Sequence, residues 1–450
     1  MLQRLTRGGR LGSGMMALGL FALSAAITAL MGMPGVQDAA AQEEEEYEFL
    51  DPQMCGACHN QQHSQWKGSL HALAHNEAIY DRYFIQASQE TDGEIELFCA
   101  TCHSPIAVMN GSIPFDEPPS SPEDTVLPDK AEETGVNCDF CHSIEDYTEL
   151  RNAGYVVDRS NVKRGPYEDA DAQGFHESEY SELHRTAEFC AICHVVDHPV
   201  NGIHLEMTYQ EYQESGYPEE GIICQDCHMN RNLGDPPYEL PGKAAMTGPE
   251  REHVADHYFV GPNIVFAEET GADELKELSL KLLERAADVE ITGAEVADGQ
   301  VVVNVDVTNK GAGHSIPSGI TELRQVWLEV VVTDADGNTV MHAGALDEQG
   351  AINDDTVIYT TIVKDAEGNA TTKFWLTEEK ASDYRIPART TLSETISAEA
   401  DLEPGEYTVT TMLQYRSVSP FGLSEVGMPE GEVTIPVITM TSDETTMTVE

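Results

Sequence analysis

The sequence predicts an α+β protein in which a mostly helical and irregular N-terminal region is followed by a C-terminal antiparallel β-sandwich. Three observations support this fold class. Five cysteine pairs recur within residues 47–262, an amphipathic stretch follows at 272–289, and apolar residues alternate with polar ones from residue 290. A chain of 450 residues is long enough for two or three domains.

Residues 1–41 have the features of an export signal. Three arginines precede an apolar run from Met15 to Met33, and small residues lead to an alanine run at 39–41. A signal of this kind is removed during export, although its apolar run of about 19 residues could span a bilayer if it were kept. We expect cleavage before Gln42, no stable membrane span in the mature chain, and a periplasmic or extracellular location.

The chain is strongly acidic. It has 79 Asp and Glu residues against 25 Lys and Arg, and its formal net charge is -54. Such a surface repels phosphate backbones and anionic lipid headgroups, so the composition argues against nucleic-acid binding. We expect partners that are neutral, cationic or small. The charge is typical both of an acidic exported protein and of one that works in high salt.

All ten cysteines fall in five C-x-x-C pairs, and each pair is followed directly by histidine. This C-x-x-C-H pattern is that of covalent c-type haem attachment. Two thiols at this spacing can bond to both vinyl groups of one haem, while the histidine ligates the iron. The alternatives are disulfides, zinc sites and a thioredoxin-like motif, and none requires a histidine after every pair. Five covalent haems are therefore predicted, at Cys55, Cys58 and His59; at Cys99, Cys102 and His103; at Cys138, Cys141 and His142; at Cys190, Cys193 and His194; and at Cys224, Cys227 and His228.

Residues 47–262, which carry all five motifs, form the predicted haem domain. They provide roughly 43 residues per haem, too few for five independent hydrophobic cores. The macrocycles must then supply much of the buried apolar surface. We expect short helices joined by irregular loops, and a fold that depends on its cofactor.

The hydrophobic pattern changes after the haem domain. Five leucines on one face predict an amphipathic connecting helix over 272–289. Alternating residues such as Val301, Val303, Val305 and Val307 then predict an immunoglobulin-like β-sandwich over 290–437. The Thr-rich tail at 438–450 is predicted to be either disordered or an edge strand.

Eleven of the 16 histidines lie outside the motifs, and nine of these eleven fall in the haem domain. This enrichment favours a second, distal histidine on most irons. Two histidine ligands keep the iron six-coordinate and low-spin, which suits electron transfer because the coordination need not change on reduction. Methionine ligation is the alternative, with Met109, Met207, Met229 and Met246 in the same domain.

Four segments around the motifs resemble the multihaem c-type cytochrome superfamily: CGACHNQQHSQWKGSLHALAH, GVNCDFCHS, LHRTAEFCAICH and GIICQDCHMN. The similarity is closest to the tetrahaem cytochrome and hydroxylamine oxidoreductase-related branch with a C-terminal β-domain, and NKGAGHSIPSG at 309–319 resembles part of that β-domain. It covers 47–330 well and the later strands loosely. The C-x-x-C-K motif of pentahaem nitrite reductase does not occur in this sequence.

The resemblance also implies distal ligands. The histidine of W-x-x-S-x-H, which is His71 here, is a distal ligand in such relatives. The same comparison suggests further ligands and substitutes for them. The further candidates are His184, His257 and His314, and the alternates are His253, His75 and His176. One haem then has no assigned distal ligand, and His204 or His176 is suggested for it.

Together these features predict an exported pentahaem cytochrome c that transfers electrons to redox partner proteins through closely packed, mostly bis-His haems. The β-sandwich would serve in docking, assembly or haem capping. No catalytic residue is predicted, and a non-catalytic carrier is favoured over an enzyme. Two alternatives stay open: a reductase of nitrite, hydroxylamine or a similar small substrate with one open haem, and a homo-oligomer or extracellular haem filament.

Overall fold

The computed structural model describes residues 47–235, 238–262, 264–353, 356–400 and 402–450. The predicted export signal lies outside these ranges. The described residues show short helices followed by antiparallel sheets, which confirms the mixed α+β fold class. They include no helix that is both long enough and apolar enough to cross a membrane.

The first part of the chain is built from short helices. Polar side chains begin several of them: the Asp51 carboxylate accepts from the Gln53 backbone N–H, and the Asn137 side chain accepts from that of Phe140. The α-helices are Pro52–Gly56, Asn60–Lys67, Leu70–Leu73, Ala78–Glu90, Glu96–His103, Pro105–Asn110, Lys130–Glu133, Cys138–Cys141, Glu188–Ala191, Thr208–Glu214, Cys224–His228, Ile264–Glu269 and Asp273–Ala286, and 3-10 turns cover Leu183–Arg185 and Pro218–Glu220.

Four two-stranded sheets connect these helices. Three are antiparallel and the second is parallel. They pair Ile144–Tyr147 with Tyr155–Val157, Val162–Gly165 with Glu177–Tyr180, Val196–Asp197 with His204–Glu206, and Gly242–Lys243 with Glu250–Arg251. Strands this short position individual side chains but bury little surface.

The C-terminal part contains two larger sheets. A three-stranded sheet has Gln300–Asn309 at its centre, between Ala287–Ala297 and Thr391–Glu399. Val301, Val303, Val305 and Val307 are fully buried, as their alternation predicts. The seven-stranded sheet comprises Gln325–Thr333, Thr339–Ala343, Ile358–Lys364, Ala370–Thr371, Glu379–Tyr384, Gly405–Arg416 and Ile438–Val449, and the short helices Phe374–Leu376 and Pro420–Glu425 lie between its strands.

The structure differs from the sequence pattern at the end of the amphipathic helix, and at the tail it shows the edge strand, one of the two predicted forms. The amphipathic helix ends at Ala286, because the chain turns extended at Ala287 and pairs at once with Asn309. The Thr-rich tail forms the strand Ile438–Val449, which pairs along most of its length with Gly405–Arg416 at a sheet edge. The two-sheet region therefore extends beyond both predicted limits.

The helical and β parts share a hydrophobic core. Tyr47–Glu450 behaves as one compact unit. One buried cluster combines residues of the helix Ala78–Glu90 with Leu323, Trp375 and Val418 from the β part. Polar contacts support this cluster, since Glu90 accepts hydrogen bonds from the Trp375 indole and the Lys373 ammonium group. The β part is thus packed directly against the segments that carry the motifs.

Candidate functional site

Each C-x-x-C-H motif lies on a short helix or at its end. The first overlaps Pro52–Gly56, the second ends Glu96–His103, and the fifth forms Cys224–His228. Residues three positions apart lie on the same helix face, so both thiols of a motif point to one side. The histidine of the motif directly follows the second cysteine along the chain. This local geometry suits two thioether bonds and one axial ligand on a single haem.

Hydrogen bonds fix the orientation of all five motif histidines. In four of them the Nδ1–H donates to a backbone carbonyl of a remote segment, which leaves Nε2 free to bind iron. The four bonds are His59 to Ala244 at 2.7 Å, His103 to Ala74 at 2.8 Å, His142 to Arg164 at 2.6 Å, and His228 to Val260 at 2.6 Å. The rings are therefore preorganised as proximal ligands.

The histidine of the fourth motif has a different partner. His194 Nδ1 lies 3.3 Å from the Glu206 carboxylate, which also accepts from the Thr208 hydroxyl at 3.1 Å. The short antiparallel pair Val196–Asp197 and His204–Glu206 brings Glu206 back beside the motif, because Glu206 pairs with Val196. One motif histidine of five thus meets a charged acceptor.

Four motif histidines face a second histidine ring. Two imidazoles on opposite sides of one metal ion, with bonds of about 2 Å, have ring centroids about 6.3 Å apart. The observed separations match this value. They are 6.4 Å for His59 and His176, 6.4 Å for His142 and His257, 6.2 Å for His194 and His71, and 6.3 Å for His228 and His314.

Backbone carbonyls also orient the facing rings. The Nδ1 atoms of His176, His257 and His314 lie 2.8, 3.1 and 3.0 Å from the carbonyls of Glu177, Ala255 and Ser315. His71 Nδ1 is buried without a partner. In the three hydrogen-bonded rings, Nε2 is the nitrogen left for the iron.

The other histidines suggested by the resemblance lie elsewhere. His184 stacks on His142 at 5.5 Å, but both its nitrogens already have partners: the Ser181 hydroxyl at 2.9 Å and the Cys141 carbonyl at 3.1 Å. The three remaining candidates have no ring contact with a motif histidine among the described residues, and one ring nitrogen of each bonds to a protein atom. His75 contacts the Thr125 carbonyl at 2.9 Å, His204 contacts the Asp197 carboxylate at 2.6 Å, and His253 accepts from the Leu240 N–H at 3.1 Å.

The second motif has no facing histidine among the described residues, which include all 16 histidines. The ring contact of His103 is with Tyr80, stacked at 4.0 Å with an interplanar angle of 9°. The nearby His75 has its Nε2 2.9 Å from the Thr125 carbonyl, and its ring contact is with Tyr80 instead of His103. His103 therefore differs from the other motif histidines.

Burial keeps most of these imidazoles neutral, which is the form that binds a metal. Desolvation lowers the pKa of His71 to about 3, and those of His103, His228 and His257 to about 4. His194 is the exception. Burial acts to lower its pKa, but the hydrogen bond to Glu206 and the negative charges of Glu206, Cys102 and Cys224 together raise it to about 9.

None of the ten cysteines, all within the described residues, forms a disulfide bond. Sulfur atoms of different motifs lie next to one another. The contacts join Cys55 to Cys138, Cys102 to Cys193, and Cys190 to Cys224. The first motif is thus adjacent to the third, and the fourth is adjacent to both the second and the fifth.

The second thiol of the first motif lies beside a remote segment. Cys58 is half-buried, and its backbone carbonyl accepts from the Met246 N–H at 2.9 Å. The neighbouring His59 donates to the Ala244 carbonyl of the same segment. The end of this motif is thus fixed in place. The covalent attachment of Cys58 and of the other nine thiols to haem stays a prediction.

Comparisons with known proteins concern the fold and the first three motifs. The family model for cytochrome c554 and c-prime matches residues 54–143, which hold the first three motifs. A pentahaem cytochrome c552 from Thermochromatium tepidum has a similar structure, with a TM-score of 0.62, 18% identity, and coverage of 89% of this chain and 100% of that chain. A β-glucuronidase from Bifidobacterium dentium covers 36% of this chain and 18% of its own, with a TM-score of 0.14 and 15% identity. A search of curated protein sequences finds no match.

The five C-x-x-C-H motifs, together with the family model that matches residues 54–143, support a multihaem c-type cytochrome. The fold of the chain is similar to that of a pentahaem cytochrome c552. The residues fit the cofactor in two independent ways. The thiols and the histidine of each motif are on one short segment, and four motif histidines have a second imidazole at the spacing that one iron requires.

Proposed function

We propose that the chain is an exported pentahaem cytochrome that relays electrons between redox partner proteins. The contacts between thiols of different motifs carry this proposal. They join the first motif to the third, and the second and fifth to the fourth. Bound haem supplies a one-electron iron couple. Closely packed attachment sites are what electron transfer requires, because its rate falls steeply with distance.

We propose that four haems have two histidine ligands. The ligand pairs are His59 with His176, His142 with His257, His194 with His71, and His228 with His314. The distal ligands in this set are all among the histidines that the resemblance suggests: His71, His176, His257 and His314. His184 is left out, because both its nitrogens bond to protein atoms. Unchanged coordination in both oxidation states favours rapid transfer without chemistry on a substrate.

The β part has a haem-capping role in this proposal. His314 follows the strand Gln300–Asn309 and lies far in sequence from its partner His228. Gly311 lets the loop that carries His314 pack against the end of the helix Asp273–Ala286, because a Cβ there would lie 2.3 Å from the Arg285 carbonyl oxygen. The Asn309 side chain fixes the loop by donating to the His314 carbonyl at 2.8 Å and accepting from the Ala312 N–H at 3.1 Å.

The partners follow from the charge. With a net charge of -54, the surface favours electron donors and acceptors that are cationic or that dock through apolar contact. The apolar N-terminal stretch ahead of the alanine run at 39–41 supports export to the periplasm or beyond. Haem attachment is consistent with that location.

Mass and electron counting test the proposal. We expect the intact mass of the mature protein to show five haem additions, and a one-electron reductant to be consumed at five equivalents per chain. The double substitution Cys99→Ala with Cys102→Ala should lower both counts to four. A mature wild-type protein with four or fewer haems, or one whose haems accept electrons only in part, would contradict the proposal.

The environment of His103 favours a second function, the reduction of a small molecule. No imidazole among the described residues faces His103, so an iron bound there would have one position not taken by histidine. An iron of this kind can bind a small molecule, as a reductase of nitrite or hydroxylamine requires. In that case the haem of the fourth motif, whose Cys193 lies beside Cys102, would deliver electrons to the haem of the second.

The amount of carbon monoxide that binds to the reduced protein tests for an iron with an open sixth position. We expect the fully reduced protein to bind one carbon monoxide per chain, because four irons have two histidines and one has a single histidine. Turnover of nitrite and hydroxylamine by the same sample would separate an enzyme from a carrier. The absence of binding would show that a methionine or a second chain supplies the sixth ligand, and would remove the reductase.

A further inference from the structure

The fourth motif differs from the others in what holds its histidine. Four motif histidines donate Nδ1–H to neutral backbone carbonyls at 2.6 to 2.8 Å. His194 instead donates to the Glu206 carboxylate, which is largely buried. The other four motifs thus provide an internal reference for the effect of this charge.

A carboxylate acceptor changes the imidazole itself. At 3.3 Å this hydrogen bond is longer than the four bonds to carbonyls, but its acceptor carries a full negative charge, which draws the Nδ1 proton away from the ring. The ring then donates more electron density through Nε2 to a bound metal. Both this donation and the nearby negative charge stabilise Fe(III), which carries one more positive charge than Fe(II).

We propose that Glu206 lowers the reduction potential of the haem attached at Cys190 and Cys193. The inference rests on the proposed function, since it assumes that His194 ligates that haem. The step concerned is the gain of one electron by Fe(III) to give Fe(II). No bond is broken, and the proton stays between His194 and Glu206.

The fold holds Glu206 in this position. Its strand pairs with Val196–Asp197 directly after the motif, so the carboxylate cannot move far from His194. The Thr208 hydroxyl donates to the same carboxylate oxygen and also contacts the Ser318 hydroxyl of the β part at 2.6 Å. The carboxylate is thereby tied to both parts of the molecule.

Because the fourth motif lies between the second and the fifth, the charge of Glu206 would affect how electrons are distributed among these haems. Cys193 contacts Cys102 of the second motif, and Cys190 contacts Cys224 of the fifth. The fourth motif is therefore a junction. A junction whose oxidised form is stabilised holds an electron only briefly, so that electrons reside on its neighbours.

The test uses the haem-loaded full chain and the variant Glu206→Gln. The amide keeps a carbonyl acceptor of similar shape but removes the charge. In a spectroelectrochemical titration, one of the five one-electron steps should move to higher potential while four stay in place. In the ferric protein, the paramagnetically shifted NMR signals of one haem should move with it.

Asp197→Asn provides the matched control. Asp197 is a buried carboxylate on the paired strand of the same hairpin, and it contacts His204 and Arg151 instead of a motif histidine. Its removal should leave all five steps unchanged. If Glu206→Gln fails to fold, Glu206→Asp, which withdraws the carboxylate by one methylene, should produce a smaller shift in the same direction.

The possible failures can be told apart. Five superimposable reduction steps in loaded wild-type and Glu206→Gln proteins, or an equal shift in Asp197→Asn, would overturn the role of Glu206 and leave the electron-transfer proposal intact. A wild-type protein that lacks five haems or accepts fewer than five electrons would count against the proposed function instead.

Discussion

Replacing His314 by alanine is expected to convert one low-spin haem to high spin and to leave the other four unchanged. His314 and His228 have ring centroids 6.3 Å apart with an interplanar angle of 16°, so one iron fits between them. Alanine removes one of its two nitrogen ligands, and a five-coordinate haem is high-spin. The electronic absorption and electron paramagnetic resonance spectra of the ferric protein would show one new high-spin centre.

His342 supplies the control for this experiment. It is a β-part histidine on the surface, where its Nε2 lies 2.7 Å from the Glu329 carboxylate. The variant His342→Ala should keep the wild-type spectrum, and added imidazole should restore the low-spin state of His314→Ala. Unchanged spectra for His314→Ala would remove the β part from the ligand set and with it the capping role.

The C-x-x-C-H motifs could be recognised from the sequence because their chemistry is local. Cys224, Cys227 and His228 fall within one helical turn, so the sequence spacing already fixes which atoms lie together. The valine alternation in Gln300–Asn309 is local in the same sense, because it directly gives the buried face of one strand. The mixed fold class follows from these two kinds of pattern.

The distal pairing could not be predicted in this way. His71 follows the first motif but faces His194 of the fourth, and His176 faces the first motif from a loop more than a hundred residues away. Which ring faces which depends on how remote segments pack. The choice between His184 and His257 as the partner of His142 depends on a single carbonyl, that of Cys141, which occupies one nitrogen of His184.

The contact between Glu206 and His194 could not be predicted from the sequence pattern either. Its hairpin consists of strands of two and three residues, too short for a period of two to be visible. The shared core around Trp375 is hidden for a similar reason, because it joins segments that are separated by hundreds of residues. A useful sequence signal would be a carboxylate that follows a motif by about twelve residues.

The buried clusters differ in size between the two parts, and this difference predicts how each part depends on its cofactor. The main β cluster contains 22 buried residues and lies almost wholly within 283–447. Two clusters around the motifs have only six and four buried residues, too few to offset the entropy of ordering so many loops. Haem attachment therefore stabilises the motif region far more than the sheets.

A chain made without haem, by expression in a cell that lacks the attachment machinery, is accordingly expected to be folded only in part. Limited proteolysis should degrade residues 47–262 and leave a resistant fragment containing 287–450, whose strands remain visible by circular dichroism. The haem-loaded chain, digested alongside, should stay intact over both parts, because the β part packs on Ala78–Glu90 through Leu323 and Trp375. Survival of the motif region in the haem-free chain would show that the protein core alone holds the fold. Loss of the β fragment would show that the sheets depend on the shared core.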